Sequence, residues 1–255
     1  MTKPAPLQWL DWPAPASVKA CFSLRSHTEL DASAAQSSIG QYSQPPFDHF
    51  NYAYHVGDAP DAVKCNRQYL EQTIGQHHIQ WVEQVHGIAV VRAGSTQCQA
   101  DAVYTSQPNQ VCSIMTADCL PVFFCDQAGL QVAVAHAGWR GLASGILQQT
   151  LSQFAQPQSV MIYFGPAISQ RAFEVGNEVK DVFVQQLPSL TQCFTAATDN
   201  KWMADLYGLA RLLLAEKGVT QFYGGGRCTY NEADVFYSYR RDGQTGRMAN
   251  LIWLS

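Results

Sequence analysis

Charge is scarce in this 255-residue chain: 14% of its residues are Asp, Glu, Lys or Arg, and the formal net charge is -4. With no cationic excess to neutralise a phosphate backbone, no nucleic-acid partner is expected and a small-molecule substrate is favoured. Long apolar runs are missing too. No segment approaches the roughly 18 apolar residues of a membrane helix, so no membrane contact is expected. Residues 1–6 lead into Trp9, Asp11 and Trp12 rather than into the apolar stretch and cleavage site of an export signal, which points to the cytoplasm. The 8 cysteines contain no Cys-x-x-Cys pair, against a zinc ribbon or a thioredoxin-type redox site, and most are expected to be reduced and buried. Repeats, linkers and low-complexity tracts are absent. The 47% hydrophobic share is enough to bury a core, and one domain over residues 1–255, as a monomer, is the expectation.

What is present is a succession of short apolar runs separated by Gly, Asn, Asp and Gln. Residues 20–24, 79–85, 89–91, 111–115, 121–125, 132–136, 160–164, 236–239 and 250–254 read as strands of a substantial sheet. Helical spacing is expected over residues 62–75 with Asp61 as N-cap, over 143–154, over 177–186, and over 205–217 ending at Gly218. Residues 26–47, rich in Ser, Gln, Pro and Ala, read as a long loop of the kind that borders active sites. The mixture is α+β.

Three segments put metal-competent side chains at expected strand ends, each followed closely by glycine or proline: Gln84-Val85-His86-Gly87, Thr116-Ala117-Asp118-Cys119-Leu120-Pro121 and His136-Ala137-Gly138-Trp139-Arg140-Gly141. Strand ends are where rigid elements deliver side chains to a common point. Two imidazoles and a thiolate with an open fourth position suit catalytic zinc. The spacing is not a short metal motif, and a buried thiol with two histidines in unrelated polar niches fits the residues equally well.

These three blocks resemble the signature blocks of the YfiH/laccase-domain family. The resemblance continues through His55-Val56-Gly57-Asp58, Asn66-Arg67, Gly165-Pro166-Ala167-Ile168, Phe173-Glu174-Val175-Gly176 and the stretch from Tyr237-Ser238-Tyr239-Arg240-Arg241-Asp242 to Thr245-Gly246-Arg247-Met248, nearly the whole chain. It implies a single-domain mixed-sheet αβ sandwich and a zinc ion held by His86, Cys119 and His136, with copper as a possible substitute. The implied activity is phosphorolysis of purine nucleosides (adenosine, inosine, guanosine or methylthioadenosine) by inorganic phosphate, with adenosine deamination beside it. Where the family carries an arginine followed by a glycine pair, this chain has Arg25-Ser26-His27 and a longer loop.

Phosphate needs cationic donors, and Arg25, Arg140, Arg240 and Arg241 lie in the matching blocks. Each is equally readable as a partner in a structural ion pair. Asp118, next to Cys119, is a candidate to orient a histidine from behind, and Trp139 with Tyr237 or Tyr239 a candidate to stack on a purine. Cys228 reads as a structural thiol. Gly224-Gly225-Gly226 lacks the spacing and lysine of a phosphate loop and reads as a turn of close backbone approach. Three other functions compete: a cysteine amidase editing peptidoglycan precursors with Cys119 as nucleophile, a copper polyphenol oxidase, and a non-enzymatic purine-binding module. With 7 histidines in the chain, a blue-copper site plus a three-copper cluster is poorly provided for.

Overall fold

The computed structural model of the protein describes residues 5–26, 42–75 and 78–255. Most of the expected 26–47 loop lies outside the described residues. The strands are β1 (Leu7–Trp9), β2 (Val18–Ser23), β3 (His78–Gln80), β4 (Val90–Arg92), β5 (Ala102–Thr105), β6 (Gln110–Thr116), β7 (Leu120–Asp126), β8 (Val132–Ala137), β9 (Val160–Phe164), β10 (Glu174–Gly176), β11 (Phe194–Ala196), β12 (Lys201–Ala204), β13 (Gln221–Gly224) and β14 (Met248–Leu254). The helices are α1 (Pro60–Thr73), α2 (Trp139–Ser144), α3 (Ile146–Leu151), α4 (Asn177–Gln186), α5 (Leu206–Ala215) and the single turn α6 (Tyr239–Asp242).

Two mixed sheets carry the fold, in the orders β1-β2-β14-β6-β3 and β13-β9-β7-β8-β5-β4, with a small antiparallel sheet β10-β12-β11 to one side. The large sheets face each other. Ile114, Ile252 and Ala20 of the first pack with Phe123, Cys125, Val134 and Met161 of the second. The opposite face of the second sheet, with Val122, Phe124, Ala135 and Ile162, is covered by Leu142, Ile146 and Leu147 and by Val179, Phe183, Leu209 and Leu213 of α4 and α5. On the outer face of the first sheet, Val111, Met115 and Leu251 meet Leu70 of α1 and Phe50. The order is therefore helix, sheet, sheet, helix, an α+β sandwich. Because β7 and β8 are buried on both faces, their sequences are continuous apolar runs rather than alternations.

Several expected boundaries are corrected. The helix expected over 143–154 starts earlier, at Trp139, and breaks into α2 and α3 at Gly145, whose φ of 101° ends one helix and begins the next. Asp61 is not the N-cap of α1: Ala59 holds that position and Pro60 fills the first turn, where its missing N–H costs nothing. Of the run expected as a strand at 79–85, β3 takes in residues through Gln80, and Glu83 adds only an isolated parallel bridge to Gln99. Residues 236–239 form no strand, because the Arg241 guanidinium takes the Phe236 carbonyl at 2.9 Å and Ser238 caps α6. Gly218, with φ of 86°, ends the α5 region as expected. Gly224, Gly225 and Gly226 form a tight turn in which a Cβ on Gly224 would lie 2.5 Å from the Phe164 carbonyl oxygen.

Candidate metal centre

The register of the second sheet begins the site. In the β7–β8 pair, Leu120 faces Ala137 and Pro121 faces His136, so the residues just beyond, Cys119 and Gly138, meet at the end of the hairpin. On the other side of β8, Ala102 faces Ala135, and the His136 amide donates to the Asp101 carbonyl at 2.7 Å. His136 is thus flanked by Cys119 across one strand boundary and Asp101 across the other. His86 arrives from the connection between β3 and β4. The metal-competent atoms of His86, Cys119 and His136 all lie within 4.8 Å of one another, and they are the only such cluster among the described residues.

Asp101 organises this arrangement. Fully buried, it accepts hydrogen bonds from three successive backbone amides, Val85 at 3.2 Å, His86 at 3.0 Å and Gly87 at 2.7 Å, and from His136 Nδ1 at 2.8 Å. One carboxylate thereby fixes the turn that presents His86 and the ring that presents His136. It leaves Nε2 of His136 as the outward-facing nitrogen, the usual arrangement behind a metal-binding imidazole. His86 has φ of 58° and Asp118 φ of 96°, left-handed conformations that cost a non-glycine residue about 1–3 kcal/mol. The first is held by Asp101. The second is held by Thr229 Oγ1, which donates to Asp118 Oδ1 at 2.6 Å, and by the Arg240 amide, which donates to Oδ2 at 2.7 Å. The carboxylate that orients a histidine is therefore Asp101; Asp118 instead sets the turn that delivers Cys119.

The donor set fits a single metal ion. Bond lengths of ordinary zinc sites put ligand atoms about 3.3–3.6 Å apart. His86 Nε2 and Cys119 Sγ are 3.9 Å apart here, so a small contraction suffices. Gly138 permits the approach: a Cβ there would lie 2.9 Å from His86 Cδ2 and 3.0 Å from Cys119 Sγ. Burial opposes charge on the Cys119 thiol, but the neighbouring His136 and His86 overcome it and bring its pKa down to about 6. Burial likewise opposes the His136 imidazolium, which the thiolate and Asp101 raise to about 9. Without metal the pair is a thiolate beside an imidazolium, the deprotonated sulfur that a soft cation requires.

The expected arginines divide. Arg25 is tied into the fold, pairing with Asp48 at 3.2 Å and donating to the Asp48 and Ala233 carbonyls. Arg241 pairs with Asp242 and spends its other donors on the carbonyls of Thr229, Tyr230 and Phe236. In both, the guanidinium donors are engaged by the protein's own carboxylates and carbonyls. Arg240 is exposed and donates to the Glu174 carbonyl at 3.2 Å. Arg140 is exposed with its guanidinium 4.5 Å from the Trp139 ring and no hydrogen bond among the described residues. Tyr237 is fully buried and donates to the Phe47 carbonyl at 2.6 Å, so it offers no face to a ligand, whereas Tyr239 is exposed. Cys228 is buried and its sulfur accepts from the Ser169 amide, a structural thiol as expected. Two cations that sequence reasoning left unassigned, Arg67 and Arg247, lie near the site. So does Asp101, whose signal in sequence is no more than an aspartate before a strand.

A family described as multi-copper polyphenol oxidoreductase laccase matches residues 33–255. The chain is 46% identical to a Pseudomonas aeruginosa protein named purine nucleoside phosphorylase over 251 residues, covering 96% of the chain and 98% of that protein. It is also 46% identical to the Escherichia coli purine nucleoside phosphorylase YfiH, covering 95% of the chain and 96% of the relative. Among solved structures, a Neisseria meningitidis protein superposes with a TM-score of 0.89 at 45% identity, covering 98% of this chain and 99% of that one. YlmD from Geobacillus stearothermophilus superposes with a TM-score of 0.83 at 29% identity, covering 98% and 99%.

Proposed function

Since the chain belongs to the YfiH/laccase-domain family, we propose that it is a purine nucleoside phosphorylase whose metal, zinc by the chemistry of the donors, is held by His86, Cys119 and His136. The observation that carries this reading is the convergence of the three side chains on one point, with Asp101 fixing two of them. Zinc bound there supplies Lewis-acid activation of an oxygen atom.

The chain's own residues account for the rest. Asp101 holds the proton on His136 Nδ1 and so fixes the tautomer and the ring plane. Val85, Ile88 and Tyr239 are exposed beside the turns that carry His86 and Asp118, and offer apolar surface to a purine. Phosphate attack at the ribose C1′ with departure of the base gives free purine and ribose 1-phosphate. Adenosine deamination, replacing the amine by oxygen with release of ammonia, is a second reaction of the same centre. Adenosine, inosine, guanosine and methylthioadenosine are the substrates to try, and the proposed setting is a cytoplasmic monomer. The test is incubation of purified protein with adenosine, with and without phosphate, followed by separation of products. Adenine appearing only with phosphate supports phosphorolysis, ammonia in both arms supports deamination, and neither product rejects the proposal. Cys119→Ala is expected to abolish both.

One observation favours a second reading. Cys119, His136 and Asp101 also form the sequence of contacts of a nucleophilic thiol, its base and the group that orients the base, with the thiol pKa already near about 6. On that reading the protein is a cysteine amidase, and it retains full activity after exhaustive chelation. The phosphorylase reading requires that activity be lost.

A further inference from the structure

A desolvated cation without a counter-ion is costly, and proteins pair such groups unless a ligand completes them. Of the partly buried arginines, Arg25 meets Asp48, Arg227 meets Glu232 and Arg241 meets Asp242. Arg67 and Arg247, equally withdrawn from solvent, meet no carboxylate among the described residues. Both stand at the end of the first sheet nearest the metal-competent triad. Met248 pairs with Thr116 in the β14–β6 register, which sets Arg247 alongside Ala117, two residues before Cys119. The Arg67 guanidinium lies over the Trp81 ring at 3.9 Å and the Tyr54 ring at 4.6 Å, and its Nη2 reaches Met115 Sδ. The Met115 amide and carbonyl are in turn both bound by the side chain of Gln84, two residues before His86.

The donors left over differ between the two. Arg67 spends Nε on the Tyr52 carbonyl and keeps only Nη1 without a partner. Arg247 spends Nη1 alone, on the carbonyls of Thr245 at 2.8 Å and Gly246 at 2.9 Å. Its Nε and Nη2 have no partner among the described residues. That pair of N–H groups is the parallel fork with which arginine grips two oxygens of one anion.

We propose that the free Nε/Nη2 edge of Arg247 binds inorganic phosphate, the anionic reactant, with Arg67 as the second cation of the subsite. This rests on the phosphorylase reading: ribose and purine are neutral, so phosphate is the reactant that an unpaired, half-buried guanidinium selects. Burial lowers the pKa of both arginines, Arg67 to about 10, against the opposing charges of Tyr54 and Glu71 on Arg67 and of Cys119, Asp118 and Tyr239 on Arg247. Burial followed by the charges of Arg247 and Arg67 lowers that of His55, which sets the two guanidiniums within electrostatic reach of one imidazole.

The test is calorimetric titration of inorganic phosphate into the zinc-loaded protein and into Arg247→Gln and Arg247→Lys, with melting temperature and zinc content recorded for each. The expected result is one phosphate per wild-type chain, a dissociation constant raised at least tenfold in Arg247→Gln, and an intermediate value in Arg247→Lys, which carries the comparison if the Gln variant does not fold. The KM for phosphate should rise in parallel while the KM for nucleoside changes less than threefold. A dissociation constant in the folded variants within twofold of wild type, or no binding by wild type, overturns the subsite even if phosphorolysis is observed. Binding that depends on Arg247 without any phosphate-dependent base release keeps the subsite and overturns the phosphorylase reading.

Discussion

Replacing Asp101 by Asn tests whether one carboxylate assembles the centre. The side chain is fully buried and divides its four bonds evenly, with Oδ1 accepting from the His86 amide and His136 Nδ1 and Oδ2 accepting from the Val85 and Gly87 amides. An amide keeps only one oxygen. Whichever way the substituted side chain turns, two donors face an NH2 group and lose their acceptor, at about 1–3 kcal/mol each, for a total of about 2–6 kcal/mol. Against an overall stability of about 5–15 kcal/mol the variant should still fold, but with a lowered urea midpoint. Losing the group behind His136 should also weaken metal binding by about 10–100-fold, read by competition against a chromogenic chelator. If Asp101→Asn matched wild type within about 0.5 kcal/mol in metal-free unfolding, and bound zinc equally well, the role assigned to Asp101 would be wrong.

Three further outcomes follow from the same geometry. Gly138→Ala places a methyl 2.9 Å from His86 Cδ2 and 3.0 Å from Cys119 Sγ, so zinc content should fall well below one ion per chain while far-ultraviolet circular dichroism stays native; full zinc occupancy would contradict the packing argument. In metal-free protein, peptide-mapped alkylation of Cys119 should rise with pH through a midpoint near about 6, because only the thiolate reacts. Removing the imidazolium with His136→Ala should move that midpoint upward, and an unmoved midpoint would contradict the assigned cause. Tyr237→Phe removes a buried hydrogen bond to the Phe47 carbonyl and should cost about 1 kcal/mol in unfolding without changing the KM for nucleoside, whereas a raised KM would return Tyr237 to the binding site.

The parts of the fold that the sequence made legible are those whose stability is local or repetitive. The doubly buried β7 and β8 are unbroken apolar runs, and α4 is a regular amphipathic stretch recognised at both ends. The short strands β1 and β10–β13 escape such reading because three or four residues are too few to show an alternating pattern. The strand expected at 236–239 failed for a different reason: the Phe236 carbonyl is claimed by the Arg241 guanidinium, a side-chain contact that overrides local β preference. At the centre, the three ligand blocks were visible because each carries its own glycine or proline turn. Asp101 was not, since its role depends on the β5–β8 register and on a turn 14 to 16 residues earlier in the chain. The arginines were sorted by block membership, whereas the structure sorts them by whether a carboxylate or a set of carbonyls has already claimed them.

If His86, Cys119 and His136 form one metal site on which activity depends, metal content and turnover must rise and fall together. The most direct test is elemental analysis of protein purified without added metal, paired with turnover before and after chelation. The expected result is close to one zinc per chain, loss of zinc and activity together on chelation, and recovery of both on adding zinc back; a metal-free protein with full activity would contradict it.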